Sequence, residues 1–508
     1  MNRDWAWLKR DPVRRHAEVR PHRTAIVELA TGRSVTFAEL DREIGRAAGW
    51  LEAHVAPSGR IAFLGRNSLS QVLLYYGCQR AGRVFVPLNW RLSGAELAVL
   101  LEDCAPDVFV HDDEFAREAE AGLAASPVKR VIGSADFAAA LTAASPSDAV
   151  IADPFAPAAL LYTSGTTGKP KGVILTAKWM YASAQNFVHI SELSADSIML
   201  CDTPLFHTVG LKAALAGSMV AGATFLMSDR FVPGVTLGRL ADKALGVTHS
   251  FCVPQMAQAM MAEPSFEAAD LSHIKALFSG GAPLPRPITE AFLEKGVVLA
   301  NGYGMTEAGS TLCMPLDAAV IAAKMDSAGL PSPTVMLRLV GPDGADVKDG
   351  EVGEVWLSGP SLMPGYWNQP EATAKALTAD GWLKTGDAAR RDEDGFIFIV
   401  DRWKDMYITG GENVYPAEVE AVLIAALEAP EIAVVGVPDA RWGETGVAFV
   451  ASAALTEAAV LAACDGRLAR YKHPRHVRFI EALPRTASGK IQKDVLRRLF
   501  AAETESVN

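Results

Sequence analysis

The chain has 508 residues, half of them hydrophobic and 21% charged, with 48 basic against 59 acidic side chains for a formal net charge of −11. That length exceeds what one hydrophobic core organises, and the composition is that of an ordinary globular protein. An acidic balance without any Lys/Arg block argues against nucleic acid or an anionic membrane surface as the main partner.

The six cysteines (Cys78, Cys104, Cys201, Cys252, Cys313, Cys464) stand apart, with no Cys-x-x-Cys pair and no His cluster beside them. That pattern suits reduced thiols in a cytosol and argues against a zinc site. Met1 to Trp5 form no apolar signal core, and the run from Ala213 to Met227 is short and broken by glycines. The expectation is a cytoplasmic protein without an integral membrane segment, a homodimer being left open.

Up to Val150 the pattern alternates between helix and strand. Thr36 to Leu40 reads as an N-capped helix start that continues through Leu51, and Gln71 to Ala81 reads as a second helix. Ile61–Leu64, Val84–Leu88 and Asp107–Val110 read as strands, so a mostly parallel α/β sheet is predicted. Asn89-Trp90-Arg91-Leu92 reads as a packing corner. Ala143 to Pro157, rich in Ala, Ser and Pro, reads as a connection between subdomains.

The densest chemistry follows. The apolar run Ala158–Leu161 leads into Tyr162-Thr163-Ser164-Gly165-Thr166-Thr167-Gly168-Lys169-Pro170-Lys171-Gly172, and Val173-Ile174-Leu175 follows at once. Glycines let a loop turn its N–H groups onto an anion, while hydroxyls and lysines add donors and charge. The loop is therefore expected to hold phosphate. It is not the common nucleotide loop, because Pro170 follows Lys169 where that pattern needs Ser or Thr. The string resembles the signature of the adenylate-forming superfamily: acyl- and aryl-CoA synthetases, peptide-synthetase adenylation domains and firefly-type luciferases.

Later motifs continue the resemblance in order. Thr203 to Gly210 places His207 after an apolar run and before a glycine, as a strand-end pocket wall. Val247 to Pro254 reads as a strand. Leu271 to Phe278 leads into Ser279-Gly280-Gly281-Ala282-Pro283, where a glycine pair lets backbone approach a flat ligand. Asn301-Gly302-Tyr303-Gly304-Met305-Thr306-Glu307 offers a stacking ring, a hydroxyl and a carboxylate on a tight glycine path. Gly353–Gly359 and Met363–Tyr366 read as structural strand and turn. Asp387 is expected on a Thr-Gly turn, and Asp401–Met406 follows a strand at Phe396–Val400. Beyond it come a helix at Ala417–Leu427, strands at Ile432–Val437 and Val447–Ala451, a helix through Leu468, and Lys490 on a Ser-Gly turn.

The resemblance spans Thr36 to Lys490 and carries a fold, cofactors and roles with it. It implies an α/β protein: a large N-terminal domain (1–403) of α/β subdomains plus a β-barrel-like subdomain, and a small α+β C-terminal domain (404–508) hinged at Lys404. It implies ATP, Mg²⁺ and coenzyme A as cofactors and a small carboxylic acid as substrate. Thr163, Ser164, Gly165, Thr166, Thr167, Gly168, Lys169 and Lys171 are implied at the leaving phosphates, with Thr163 and Glu307 as metal ligands. Gly281, Ala282, Pro283, Asn301, Gly302, Tyr303 and Gly304 are implied around adenine, Thr306 at the α-phosphate, and Asp387 with Arg402 at the ribose. Lys490 is implied as the catalytic lysine, and Gly410, Gly411 and Glu412 as the loop serving the second half-reaction. His207, Val209, Gly280 and Met305 are implied to line the acyl pocket. Tyr407 stands where the family usually has a small aliphatic residue, which bears on packing beside the hinge.

The reaction expected is carboxylate attack on ATP to give an acyl-adenylate and pyrophosphate, then thioester formation. An amino-acid-activating domain needs an acid for the substrate ammonium, and Phe206 to Ala214 offers His207 and Lys212 but none. Transfer to a carrier protein, a luciferase-like oxygenase and an inactive nucleotide-binding scaffold are the other readings. The apolar, glycine-rich pocket segments suit a medium- or long-chain fatty acid or an aromatic acid, and Lys212 reads as a helix-surface lysine, the alternative being contact with a second carboxylate.

Overall fold

A computed structural model of the chain describes residues 5, 8–123, 128–163, 170–403, 405–409, 412–428, 431–439, 441–452, 454–465, 467–485, 489 and 491–505. The chain packs as two compact units, Met1–Leu337 with Leu357–Leu383, and Arg338–Trp356 with Lys384–Asn508.

The first unit is built on two sheets. One has six strands, ordered Arg130–Gly133, Val108–His111, Arg60–Leu64, Val84–Leu88, Pro157–Thr163 and Lys171–Thr176, parallel except for the last pair. Val84–Leu88 is buried at every residue, as a strand covered on both faces requires. The other has nine strands, ordered Arg33–Thr36, Thr24–Glu28, Thr224–Met227, Ile198–Cys201, His249–Cys252, Ala276–Gly280, Leu299–Met305, Gly309–Cys313 and Leu330–Pro331. Its middle is parallel, and the Leu299–Met305, Gly309–Cys313 and Leu330–Pro331 strands run antiparallel at one edge.

The sequence-expected helices are present. Phe37–His54 starts at a reciprocal cap, Thr36 accepting from the Glu39 N–H while the Glu39 carboxylate accepts from the Thr36 N–H. Leu69–Ala81 is buried along its whole length except Ser70, which includes Arg80. Arg80 is held by Asp11 and Asp41, each at 2.6 Å, so one guanidinium pins this helix to Pro12–Val19, which Asp11 caps, and to Phe37–His54. Trp90 sits between Arg66 and Arg91 and against Phe115 and Phe206, the packing corner its sequence context suggests.

Where a barrel-like subdomain is expected, Met336–Val340, Val352–Ser358, Leu383–Arg391 and Ile397–Arg402 form a four-stranded sheet, and among the described residues no pairing closes it. The C-terminal part has its own five-stranded sheet, with Pro416–Leu427 packed on Ile432–Asp439. Several boundaries differ from expectation, and the strand expected at Val447–Ala451 starts at Gly443. The strand in Val247–Pro254 is only His249–Cys252, because Pro254 opens a helix, and the helix expected to reach Leu468 spans Glu457–Ala462.

Tyr407 is accommodated by a matched vacancy in this sheet. Its ring is 1% exposed, and a Cβ at Gly436 or Gly446, which face each other on neighbouring strands, would overlap it. A large residue on one strand is thus offset by two glycines on the others. Among the described residues, no helix is long and apolar enough to cross a membrane.

Candidate active site

The strands Pro157–Thr163 and Lys171–Thr176 pair antiparallel and bring Thr163 opposite Lys171, flanking the segment expected to hold phosphate. Ser164, Gly165, Thr166, Thr167, Gly168 and Lys169 lie outside the described residues, as do Lys404, Gly410, Gly411 and Lys490. The Thr163 hydroxyl faces the Lys171 carbonyl at 3.5 Å.

A second hairpin, Leu299–Met305 with Gly309–Cys313, carries the residues expected around adenine. Asn301 to Met305 lie in a strand rather than a free glycine turn, with a bulge at Tyr303/Gly304, and Thr306 and Glu307 form the connection to the next strand. The glycines are needed for space. Gly280 and Gly302 are register partners, and a Cβ on Gly280 would strike the Gly302 carbonyl. The Tyr303 carbonyl accepts from the Thr311 hydroxyl at 2.8 Å, and the Asn301 amide donates to Ser327 at 2.8 Å. Gly281, Ala282 and Pro283 follow Gly280 as a partly exposed bend.

The segment Met363–Trp367, of which Met363–Tyr366 is expected to be structural, joins the two hairpins. Met363 N–H donates to the Glu307 carbonyl, Ile174 N–H to Gly365, and Trp367 N–H to Gly172. Between these anchors the Tyr366 hydroxyl donates to Glu307 Oε1 at 2.9 Å, while Lys171 Nζ lies 4.9 Å from the centre of the Tyr366 ring. Burial and the Glu307 carboxylate both hold the phenol far above its ordinary range, so it remains a donor. Glu307, Lys171 and Thr163 are therefore tied into one assembly through a tyrosine that sequence reasoning passed over.

His207 stands at the start of a helix, its ring against Phe206 at 4.5 Å and its carbonyl accepting from Leu211 N–H. The preceding segment is fixed by buried Asn67, which donates to the carbonyls of Thr203 and Ser228 and accepts from Leu205 N–H. Nothing in the sequence around Asn67 marks that role. Val209 to Ala216 wind as a π-helix, and Lys212 within it is 6% exposed. This overturns the helix-surface reading. The Lys212 ammonium donates to the Ser310 hydroxyl, and burial pushes its pKa down to about 7. Met305 pairs with Gly309, and Gly304 with Ser310, so that hydroxyl lies in register with the Asn301–Glu307 motif.

In the second unit, Asp387 and Arg402 face each other across neighbouring strands, Oδ1 and Nε 2.9 Å apart. Asp387 lies within the strand Leu383–Arg391 rather than on a turn, and Thr385 accepts from its N–H. Gly386, at φ +70°, supplies a backbone conformation that side chains rarely adopt just before the acid. Asp401 caps the helix Pro416–Leu427 by accepting from Ala417 N–H. Glu412 is exposed on Glu412–Val414.

Comparison with known proteins decides the family. The AMP-binding enzyme model matches residues 13–367, and the AMP-binding enzyme C-terminal domain model matches residues 418–490. The chain belongs to the AMP-binding, adenylate-forming enzyme family. It is 42% identical over 497 residues to a feruloyl-CoA synthase of Amycolatopsis, covering 96% of this chain and 98% of that one. It is 38% identical to an indoleacetate–CoA ligase of Aromatoleum aromaticum, covering 97% and 98%. Among solved structures it matches ATP-bound MatB from Rhodopseudomonas palustris with a TM-score of 0.86 at 31% identity, covering 96% and 98%. This AMP-binding enzyme is an AMP-forming acid–thiol ligase that works through an acyl-adenylate with ATP, Mg²⁺ and coenzyme A.

Proposed function

We propose that the acid is aromatic, of the arylalkanoic or arylpropenoic kind. The observation that carries this reading is the strip at Gly280 and Gly302, where adjacent strands present backbone with no side chain between them. Phe251 is the nearest side chain to that strip, 3.5 Å from where a Gly280 Cβ would stand. A flat ring stacks on the partly exposed Phe251 ring beside buried Gly280. The relatives named for feruloyl-CoA and indoleacetate support the same class.

In this reading the carboxylate needs no general base, and the protein's task is to neutralise and position two anions. Lys490 bridges the substrate carboxylate and the α-phosphate, and Thr306 donates to the α-phosphate. Tyr303 lies along adenine, and Asp387 and Arg402 take the ribose hydroxyls. Ser164, Thr166, Thr167 and Lys169, with Lys171, hold the leaving pyrophosphate. A carboxylate and a hydroxyl, from Glu307 and Thr163, are hard oxygen donors suited to Mg²⁺. Two protein donors leave the remaining positions to nucleotide oxygens and water. Bound there, the ion would offset the charge of the departing phosphates.

For the second half-reaction, rotation about Lys404 withdraws Lys490 and brings Gly410, Gly411 and Glu412 to the adenylate. Six buried free thiols support a reducing, cytoplasmic setting.

The test is pyrophosphate release and thioester formation with ATP, Mg²⁺ and coenzyme A across ferulate, cinnamate, indoleacetate, octanoate, palmitate and amino acids. The aryl acids should give the highest kcat/KM. A fatty acid preferred by about tenfold or more would overturn the aromatic reading.

A further inference from the structure

The π-helix at Val209–Ala216 presents a lysine where a core would ordinarily take an aliphatic side chain. In a π-helix the hydrogen bonds reach one residue further, and here Gly217 N–H bonds to the carbonyl of Lys212. The wider turn accommodates one extra residue and redirects the side chains within it, and such segments recur at functional sites. The redirected side chain is Lys212, which points to Ser310 on the strand paired with Asn301–Glu307.

Ser310 is itself well fixed. Its N–H donates to the Ser183 hydroxyl at 3.0 Å, and its carbonyl accepts from the Asn186 amide at 3.3 Å. Asn186 in turn accepts from the Thr334 hydroxyl at 2.9 Å. The backbone of Ser310 is thus occupied, and its hydroxyl is the partner given to Lys212. Among the described residues Lys212 has no carboxylate partner, which a lysine buried to this degree ordinarily requires. An ammonium has three N–H donors, and among the described residues one hydroxyl accepts from it, which leaves capacity to spare.

Resting on the aromatic-acid reading above, the structure assigns Lys212 as a specificity residue: its Nζ donates to an acceptor oxygen on the acyl part of the substrate, remote from the reacting carboxylate. The preferred acids carry a hydroxyl, carbonyl or second carboxylate on the ring or tail. Three observations favour this over a purely structural lysine. It lies one helical turn beyond His207, whose carbonyl begins that turn by accepting from Leu211 N–H. Its partner Ser310 is in register with Gly304, between Tyr303 and Met305. Burial also lowers its pKa to about 7, so near neutral pH it can meet a neutral oxygen as an amine or an anionic one as an ammonium.

The experiment measures kcat/KM for pyrophosphate release with cinnamate against 3-hydroxycinnamate and 4-hydroxycinnamate, and with octanoate against 8-hydroxyoctanoate. Wild-type enzyme is compared with Lys212→Met and Lys212→Gln. The wild type should prefer at least one oxygen-bearing member by about tenfold or more, and Lys212→Met should lose that preference. Lys212→Gln, which keeps a donor, should retain part of it, and it stands in if the Met variant does not fold. Absence of any preference in the wild type, its survival in Lys212→Met, or equal loss on both members of each pair overturns the assignment. Wild-type enzyme that activates no acid of the panel overturns the aromatic-acid reading, and this inference with it.

Discussion

The Tyr366 hydroxyl donates to Glu307 Oε1 at 2.9 Å, and the backbone on either side of that tyrosine is anchored to the hairpin that ends in the phosphate loop. Glu307 is 8% exposed, so its orientation is set by this phenol and by its place in the turn. Tyr366→Phe should lower adenylation roughly tenfold, as loss of one hydrogen bond to a charged group implies. It should also raise the Mg²⁺ concentration needed for half-maximal rate and leave the melting temperature nearly unmoved. An unaltered magnesium dependence would remove Tyr366 from the support of the metal ligand proposed at Glu307.

Asp387 and Arg402 are each other's partner in the second unit. If they receive the ribose, Asp387→Asn and Arg402→Ala should each raise the KM for ATP by about tenfold or more, with the KM for the acid much less affected. Steady-state kinetics with ATP varied at saturating acid read this directly. A change confined to the acid KM would reassign the pair.

His249 is fully buried, its Nε2 3.0 Å from the Ser191 carbonyl and its Nδ1 2.7 Å from the Thr248 hydroxyl. Burial lowers its pKa from 6.5 to about 4. The unfolded chain therefore takes up a proton below about pH 6.5 that the folded protein refuses until about pH 4, so this stabilisation is complete above pH 6.5 and fades on acidification. Wild-type protein should lose about 2 kcal/mol from this site between pH 7.5 and pH 5. His249→Gln should flatten that slope in denaturant titrations at the two pH values.

Tyr407 fills the space left by Gly436 and Gly446, and its buried hydroxyl has no hydrogen-bond partner among the described residues. Gly446→Ala should destabilise the protein by about 1–3 kcal/mol, because the added methyl meets that hydroxyl. Tyr407→Phe should be neutral or stabilising, since it removes an unsatisfied polar group. The double variant should recover part of the Gly446→Ala loss, a coupling that a double-mutant cycle would measure.

Much of this was legible in the sequence wherever a local rule decides. The Thr36 cap, the buried strand Val84–Leu88 and the helix opening at Pro416 each follow from side chains within a few residues of one another. The family was legible because its resemblance rests on unusual residue types in close succession, and the family models match residues 13–367 and 418–490. What escaped depends on partners distant in the chain. Tyr366 meets Glu307 across 59 positions and Lys212 meets Ser310 across 98, and neither neighbourhood advertises the other. The helix-surface reading of Lys212 failed for a further reason: the segment is a buried π-helix rather than a surface α-helix. Asp387 shows the same limit in reverse, since Thr-Gly suggests a turn by composition while ladder pairing with Arg402 makes it a strand.

All six cysteines are buried, and burial raises every one of their thiols, those of Cys104, Cys201, Cys252 and Cys313 to about 12. An enzyme that handles a free thiol as cosubstrate faces mixed-disulfide capture whenever that cosubstrate is oxidised. Here no thiolate is presented for exchange, since exchange needs both ionisation and access. Coenzyme A disulfide should pass as a bystander, and thiol-reactive dyes should label this ligase only as fast as it opens, making them reporters of unfolding rather than of turnover.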